Sequence, residues 1–419
     1  MDTRTKTRPA LRFIPFRKRD IIEMCVSASS QSATEQMRFR DFCRLLQSVF
    51  HFEFHEKLEA LKDTYAPMNP DRDTRKVAVF TERSGTTFVQ QLEALLDKAN
   101  YERLSDEDLE AAFKASSLFK LSLKIDFSAF DDVLLFVRGE SLKRERLLRF
   151  FGLWTSEIEF ANFDRVVIYI RFSEGAQFDR GTQRPGTTML KMFQNVPKAD
   201  IEMLFPNTRL GMRLIDKLMI GVPAILGGGV IMTTQLGTAL ILLGALFGYW
   251  LGLSNQPVEL DEAALIAVVA GIGGLGSFIW KQFVNFKNRK LTFMQALTQN
   301  LYFKNLDNNA GVFHRLIDDA EEEECKEAIL AYYFLLMAET EGVDAAELDD
   351  RVERWFLERW NSKIDFEIDD ALEKLLTLGI VTQSGGILRA APLEAACQIL
   401  DQRWDEYFGY NASHPPGST

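Results

Sequence analysis

Two hydrophobic periods alternate along the first two hundred residues. Between 34 and 64 apolar side chains recur at helical spacing (Phe39, Phe42, Leu45, Leu46, Phe50), which predicts a helix with one buried face. Thr86–Ala99 repeats the pattern, and Ser105-Asp-Glu-Asp108 resembles a capping box ahead of Leu109 and a helix over 106–114. The period then changes. Leu121–Phe127, Asp132–Arg138 and Arg165–Phe172 are rich in Val, Ile, Leu and Phe and predict strands. Asp131 and Asp132, with Arg138-Gly139-Glu140, suggest turns at their ends, and the polar run 173–186 reads as a loop. Residues 21–210 are thus expected to form an α+β domain, a small antiparallel sheet with helices on one face.

The alternation then stops. Between Lys217 and Glu259 lie 41 residues without a formal charge, and Ala263 to Trp280 is uncharged again. Since about 20 apolar residues cross a bilayer, region 211–290 predicts an integral membrane protein. Leu218–Leu253 as one helix would be about 54 Å long, too long for a core of about 30 Å. The outer flanks are basic (Arg209, Arg213 and Lys217; Lys281, Lys287, Arg289 and Lys290), whereas the connector carries Glu259, Asp261 and Glu262. Basic flanks on one side require an even number of crossings. The expectation is a hairpin of two spans, 231–253 and 262–281, with an apolar lead-in over 218–230; three spans is the alternative. Gly244, Gly248 and Gly252 would share one face of the first span, and Ala263, Ala267 and Gly271 one face of the second, allowing close helix packing or an oligomer seam. Pro223, Gly227, Gly228, Gly229, Thr233, Thr234 and Gln235 could form a re-entrant element. Gly271-Ile-Gly273-Gly274-Leu-Gly276 matches GxGxxG, but it follows no strand and meets no acid before Leu306, so it is not read as a nucleotide fingerprint.

Beyond the apolar region, 291–340 reads as a helical juxtamembrane segment, with Leu291–Leu306 continuing as helix. Asp318–Glu327 is an acidic run, read as the solvated start of a helix whose apolar part follows at Ala328–Met337. Residues 341–410 then predict helix (Ala345–Trp360), helix (Glu367–Leu378), strand, a Ser384-Gly385-Gly386 turn, strand, and a helix from Pro392, an order that resembles a winged helix. With sixteen acids against seven bases, that module suits a protein contact better than DNA. The tail 411–419 reads as disordered.

A net charge of -11 argues against nucleic acid as a partner. Residues 1–20 form the exception, a basic arm suited to anionic lipid headgroups or, alternatively, an organelle presequence. Cys25, Cys43, Cys325 and Cys397 match no CxxC pattern and read as buried thiols of a reducing compartment. His51 and His55 have a metal-compatible spacing but no evident third ligand, so neither a metal nor a cofactor is expected.

Several stretches carry a family likeness: Arg12-Phe-Ile-Pro-Phe-Arg17, Val133–Gly139, Lys191-Met-Phe-Gln-Asn-Val-Pro-Lys-Ala-Asp-Ile-Glu-Met-Leu-Phe-Pro206, Leu301–Leu306 and Lys326–Tyr332. Together, over about 11–405, they resemble the transmembrane protein 143 family, a group of unknown function. The resemblance implies a two-span membrane protein of bacteria, mitochondria or chloroplasts and supplies no reaction or catalytic residue. Because it begins near residue 11, the bacterial inner membrane is expected, with both large domains cytoplasmic; the mitochondrial inner membrane is the alternative.

Three functions compete on these grounds. The first is a non-enzymatic, self-associating scaffold or adaptor that contacts membrane lipids through its spans and a protein partner through 341–410. The second is an oligomeric pore using 218–237. The third is a membrane-surface enzyme using Asp126, Asp131, Asp132 and Glu140, which would have to converge in a cleft.

Overall fold

A computed structural model of the chain describes residues 10–28, 32–71, 85–105, 107, 122–125, 127–149, 154–175, 185–206, 209–211, 244–253 except 246, scattered helical positions between 262 and 295, 301–338 and 342–408. The chain separates into two units. One comprises 1–115, 127–201 and 304–419; the other comprises 116–126 and 202–303.

In the first unit, α1 (Lys18–Ala28) leads into α2 (Ala33–Tyr65), followed by α3 (Gly85–Lys98). Helix α2 starts where Ser32 and Glu35 cap it reciprocally, the Ser32 hydroxyl accepting from the Glu35 N–H and the Glu35 carboxylate accepting from the Ser32 N–H. A five-stranded antiparallel sheet has the order β1-β3-β4-β5-β7, from β1 (Glu102–Arg103), β3 (Phe130–Arg149), β4 (Trp154–Phe172), β5 (Thr188–Pro197) and β7 (Asn305–Asn308). Helix α4 (Ala310–Met337) follows β7 and is the centre of the unit. Then come α5 (Ala345–Trp360), α6 (Ile368–Thr377), a hairpin of β8 (Val381–Ser384) and β9 (Ile387–Ala390), and α7 (Leu393–Asp405).

One core joins these parts. Alternate sheet residues (Leu134, Phe136, Val167, Tyr169, Leu190, Met192) meet Phe42, Phe50, Phe54, Phe88, Phe313 and Tyr332 from the helices. Phe42 stacks on Tyr332 with ring centroids 4.1 Å apart, and the Tyr332 hydroxyl donates to the Ala391 carbonyl at 2.8 Å. Leu135, Val137, Val166, Ile168 and Ile170, on the opposite sheet face, are buried as well.

The β-sheet departs from expectation in length. Asp131 and Asp132 lie at the start of β3, but Gly139 does not end a strand; β3 and β4 form one long hairpin paired from Phe130↔Phe172 to Arg149↔Trp154. Gly139 sits inside β3 at φ +70, and a Cβ there would lie 2.6 Å from the Asp164 carboxylate, so glycine is required by both conformation and space. Residues 301–304 are helical, but 305–308 form β7 rather than continuing a helix, pairing with β5 from Lys191↔Asn308. The helix expected over 106–114 and the tail 411–419 lie outside the described residues, apart from the helical Glu107. The hairpin turn is as the sequence reads it: Gly385 (φ +60) and Gly386 (φ +83) make the doubly left-handed connection favoured between twisted strands.

In the second unit, β2 (Ser122–Lys124) and β6 (Arg209–Gly211) pair antiparallel. The membrane class expected for this region is corrected. Among the described residues no helix is long and apolar enough to cross a membrane. In the first expected span, Gly244, Ala245 and 247–250 are helical, but the helix then turns at Gly252 (φ +72), with the Leu253 N–H returning to the Gly248 carbonyl at 2.8 Å. In the second, the described residues Glu262, Ile266, Val269, Gly273, Gly274, Gly276, Ser277, Trp280 and Lys281 are helical, and the positions between them lie outside the described residues. Residues 212–243 lie outside the described residues. What stands of the fold class is mixed α/β, with an antiparallel sheet and helices.

Candidate functional site

The acidic run is the largest departure from the sequence reading. Asp318–Glu327 is not a helix start; it lies in the middle of α4, where Glu323, Glu324, Lys326 and Glu327 are all buried. Sequence reasoning treats such a run as solvated because its partners come from distant segments. Lys326 donates from Nζ to the Ile14 carbonyl at 2.8 Å, the Phe16 carbonyl at 3.2 Å and Glu323 at 2.9 Å. Glu323 in turn accepts from the Ile14 N–H at 3.0 Å. Glu324 takes Lys98 at 2.7 Å and Lys374 at 3.0 Å, and Glu327 accepts from Asn100 Nδ2 at 2.8 Å. Arg138 stands 3.8 Å from Asp319 and 3.9 Å from Glu323, with its guanidinium over the Phe13 and Tyr101 rings.

This node holds the chain segment 10–17 as a strap across α4. Leu11 bridges to Ile364, Arg12 Nε donates to Glu367 at 2.6 Å, and Phe16 stacks on Phe356 at 5.6 Å. A buried charge is tolerated only when paired and hydrogen-bonded, as Glu323, Glu324 and Lys326 are, whereas Glu327 meets the neutral Asn100 amide. Two protonation states follow from the burial. Desolvation pushes the Glu327 carboxyl well above its ordinary range, although the Asn100 hydrogen bond pulls the other way. Burial also works against the Arg138 charge, yet Asp319, Tyr101 and Glu323 hold its value above the usual one. The node therefore functions as an internal clamp.

The other flagged residues scatter. Asp131 and Asp132 are exposed at the start of β3, and Glu140, also exposed, is eight residues further along the strand, roughly 26 Å away at about 3.3 Å per residue. No cleft gathers them, and Asp126 lies outside the described residues. His51 and His55 are exposed on α2; His51 Nδ1 lies 2.9 Å from Glu321. Among the described residues, no group of three or more His, Cys, Asp or Glu is arranged to hold a metal ion. Cys25, Cys325 and Cys397, distant in sequence, come close enough to Cys43 to act on its thiol, and burial foremost raises that thiol well above its ordinary value. Such thiols stay protonated and behave as small apolar side chains.

Of the glycine series, Gly244 and Gly248 are helical and Gly252 lies in the turn that follows; a Cβ added at any of the three would meet nothing within 4 Å. Ala263, Ala267 and Gly271 lie outside the described residues, as do Pro223, Gly227, Gly228, Gly229, Thr233, Thr234 and Gln235.

A surface that the sequence reading missed lies where α7 meets the middle of α2. Phe52 contacts Trp404, Tyr407 and Phe408, with centroids 6.2, 4.0 and 5.4 Å away. Trp404 is 44% exposed and Phe408 79% exposed. Beside them runs an open groove of about 500 Å³, lined by Leu378, Ile399, Gln402, Arg403, Glu406 and Tyr407. Asp401, Asp405 and Glu406 stand exposed on the same helix end. The signal was present in the sequence as Trp404, Tyr407 and Phe408 clustered among acids where α7 ends.

The family described as "Protein of unknown function (DUF3754)" matches residues 163–311, from β4 through the second unit to the first residues of α4. No solved structure matches the chain, so the likeness of 341–410 to a winged helix has no structural neighbour behind it.

Proposed function

We propose that the protein is a non-enzymatic adaptor that docks a basic protein segment, anchored by an apolar side chain, at the aromatic corner of α7 and α2. The observation that carries this reading is the exposed pair Trp404 and Phe408 framed by Asp401, Asp405 and Glu406. Large exposed aromatic side chains of this kind are the usual anchors of protein contacts. The acids add long-range attraction for a basic partner, in keeping with the sixteen acids and seven bases of 341–410. The groove beside Tyr407 offers room for one apolar side chain of the partner.

The internal use of the α4 carboxylates supports a binding role over a chemical one. Those side chains bond to the strap, to Lys98 and to Lys374. The experiment is site-specific photo-cross-linking in cells, with the photoreactive residue replacing Phe408 in the full chain. The expected result is one discrete adduct whose cross-linked segment is rich in Lys and Arg, lost when Trp404→Ala is added and weakened by high salt. Diffuse labelling that Trp404→Ala leaves unchanged would sink the reading.

A further inference from the structure

A second groove, of about 340 Å³, lies between α1 and α2. Its walls carry Lys18 and Arg19 from α1 and Arg40 and Arg44 from α2, four cations in a chain whose net charge is -11. The acid facing them is Glu23, and Arg40 engages it through two bonds, at 2.9 and 3.1 Å. The hydrogen bond from Arg40, with help from the Arg19 charge, holds the Glu23 carboxyl below its ordinary range, so it remains a satisfied anion. Arg19 makes no ion pair among the described residues. Arg44 faces Asp41 at 3.6 Å, but both side chains are mostly solvent-exposed, and such a pair contributes little. Lys18 reaches Glu321 at 3.6 Å from the other side. The four cations of the lining outnumber its one acid, Glu23, and Asp41 and Glu321 beside the groove reduce that excess without removing it.

We propose that this groove is a binding site for a phosphate-bearing ligand, with Arg19 and Arg44 as its principal contacts and Lys18 and Gln47 as supporting donors. Arginine forks match the oxygens of a phosphate in pairs, which a lysine cannot do. A phosphate monoester carries about -1.5 to -2 charges near neutrality, more than a single carboxylate, and so suits several cations converging on one cavity. Ile22 gives the groove an apolar patch against which an organic group attached to the phosphate can rest. The phosphate can arrive free in solution or as a lipid headgroup, and the two sources separate in the test.

Calorimetric titration of the full chain with inorganic phosphate at low ionic strength is one arm. Flotation with phosphatidylcholine vesicles, with and without phosphatidate, is the other. The variant is Arg19→Glu with Arg44→Glu; the control is Arg351→Glu, an exposed arginine on α5 that pairs with Glu347. A free ligand is indicated if inorganic phosphate binds and the double variant weakens it by at least about tenfold while the control does not. A headgroup is indicated if only phosphatidate vesicles bring the protein up and the double variant alone fails to float. The proposal is overturned if neither probe binds, or if Arg351→Glu loses as much binding as the double variant.

Discussion

Lys326→Met tests the clamp on α4 most directly. Methionine keeps much of the side-chain volume and removes the ammonium, so the change acts on charge and hydrogen bonding with little cavity. Three bonds go at once: to the Ile14 carbonyl, the Phe16 carbonyl and Glu323. Removing one member of a buried ion pair costs about 3–5 kcal/mol. The two carbonyls add about 1–3 kcal/mol each if they stay buried without a donor. The chain can avoid that second cost by releasing the strap, but release exposes Ile14 and Phe16, at about 1.5–3 kcal/mol each. The two routes are close in cost, and Arg138, 3.9 Å from Glu323, recovers part of the lost pairing. The expected loss is therefore about 3–4 kcal/mol, near the lower end of the ion-pair range. It should appear as local opening before global unfolding. Hydrogen exchange of the Ile14 amide, which donates to Glu323, should accelerate by roughly 10²-fold or more. Adding Glu323→Gln should recover part of the loss, because it removes the stranded carboxylate. A Lys326→Met protein within about 1 kcal/mol of wild type, with Ile14 exchange unchanged, would refute the reasoning.

Two further changes probe the protonation and the backbone. Burial raises the Glu327 carboxyl, so its contribution to stability is complete below the unfolded value of 4.5 and is lost as pH rises through the higher folded value. Glu327→Gln mimics the protonated form; its urea midpoint should match wild type at acid pH and exceed it increasingly as pH rises above the unfolded value of 4.5, and a constant gap would contradict this. Gly139→Ala should cost about 1–3 kcal/mol in urea denaturation, since it combines φ +70 with a Cβ 2.6 Å from Asp164 Oδ2. Gly175→Ala, where a Cβ meets nothing within 4 Å, should be nearly neutral; equal losses at both sites would remove the steric argument.

What the sequence discloses depends on how local the cause is. The 3.6-residue period of 34–64 and 86–99 yields α2 and α3 nearly residue for residue, and Gly385-Gly386 identifies its turn, because those patterns act within a few positions. The Ser32/Glu35 capping box was equally local and could have been read. The strand β5 was missed although Met189, Leu190, Met192, Phe193 and Val196 are buried: both of its faces are covered, so the polar alternation that marks a half-exposed strand is absent. The acidic run misled for the opposite reason. Its character as core depends on Ile14, Lys98, Asn100, Arg138 and Lys374, and no window of sequence around 318–327 contains them. The apolar stretch 218–258 gave the strongest signal and the expectation that had to be corrected: composition describes how apolar a segment is, and among the described residues no helix is long and apolar enough to cross a membrane. Trp404 and Phe408 passed as ordinary helix positions because exposure is decided by what packs nearby.

The strap also sets a clock. Ile14 is made before the lysine that holds it, which comes 312 positions later. At about 5–20 residues per second of synthesis, roughly 15–60 s pass before Lys326 exists to receive it. Once Lys98 has been made, the apolar faces of α1, α2 and α3 exist while α4, the helix they close upon, does not. The apolar faces of the three early helices therefore wait, without the surface that buries them, until α4 has been made.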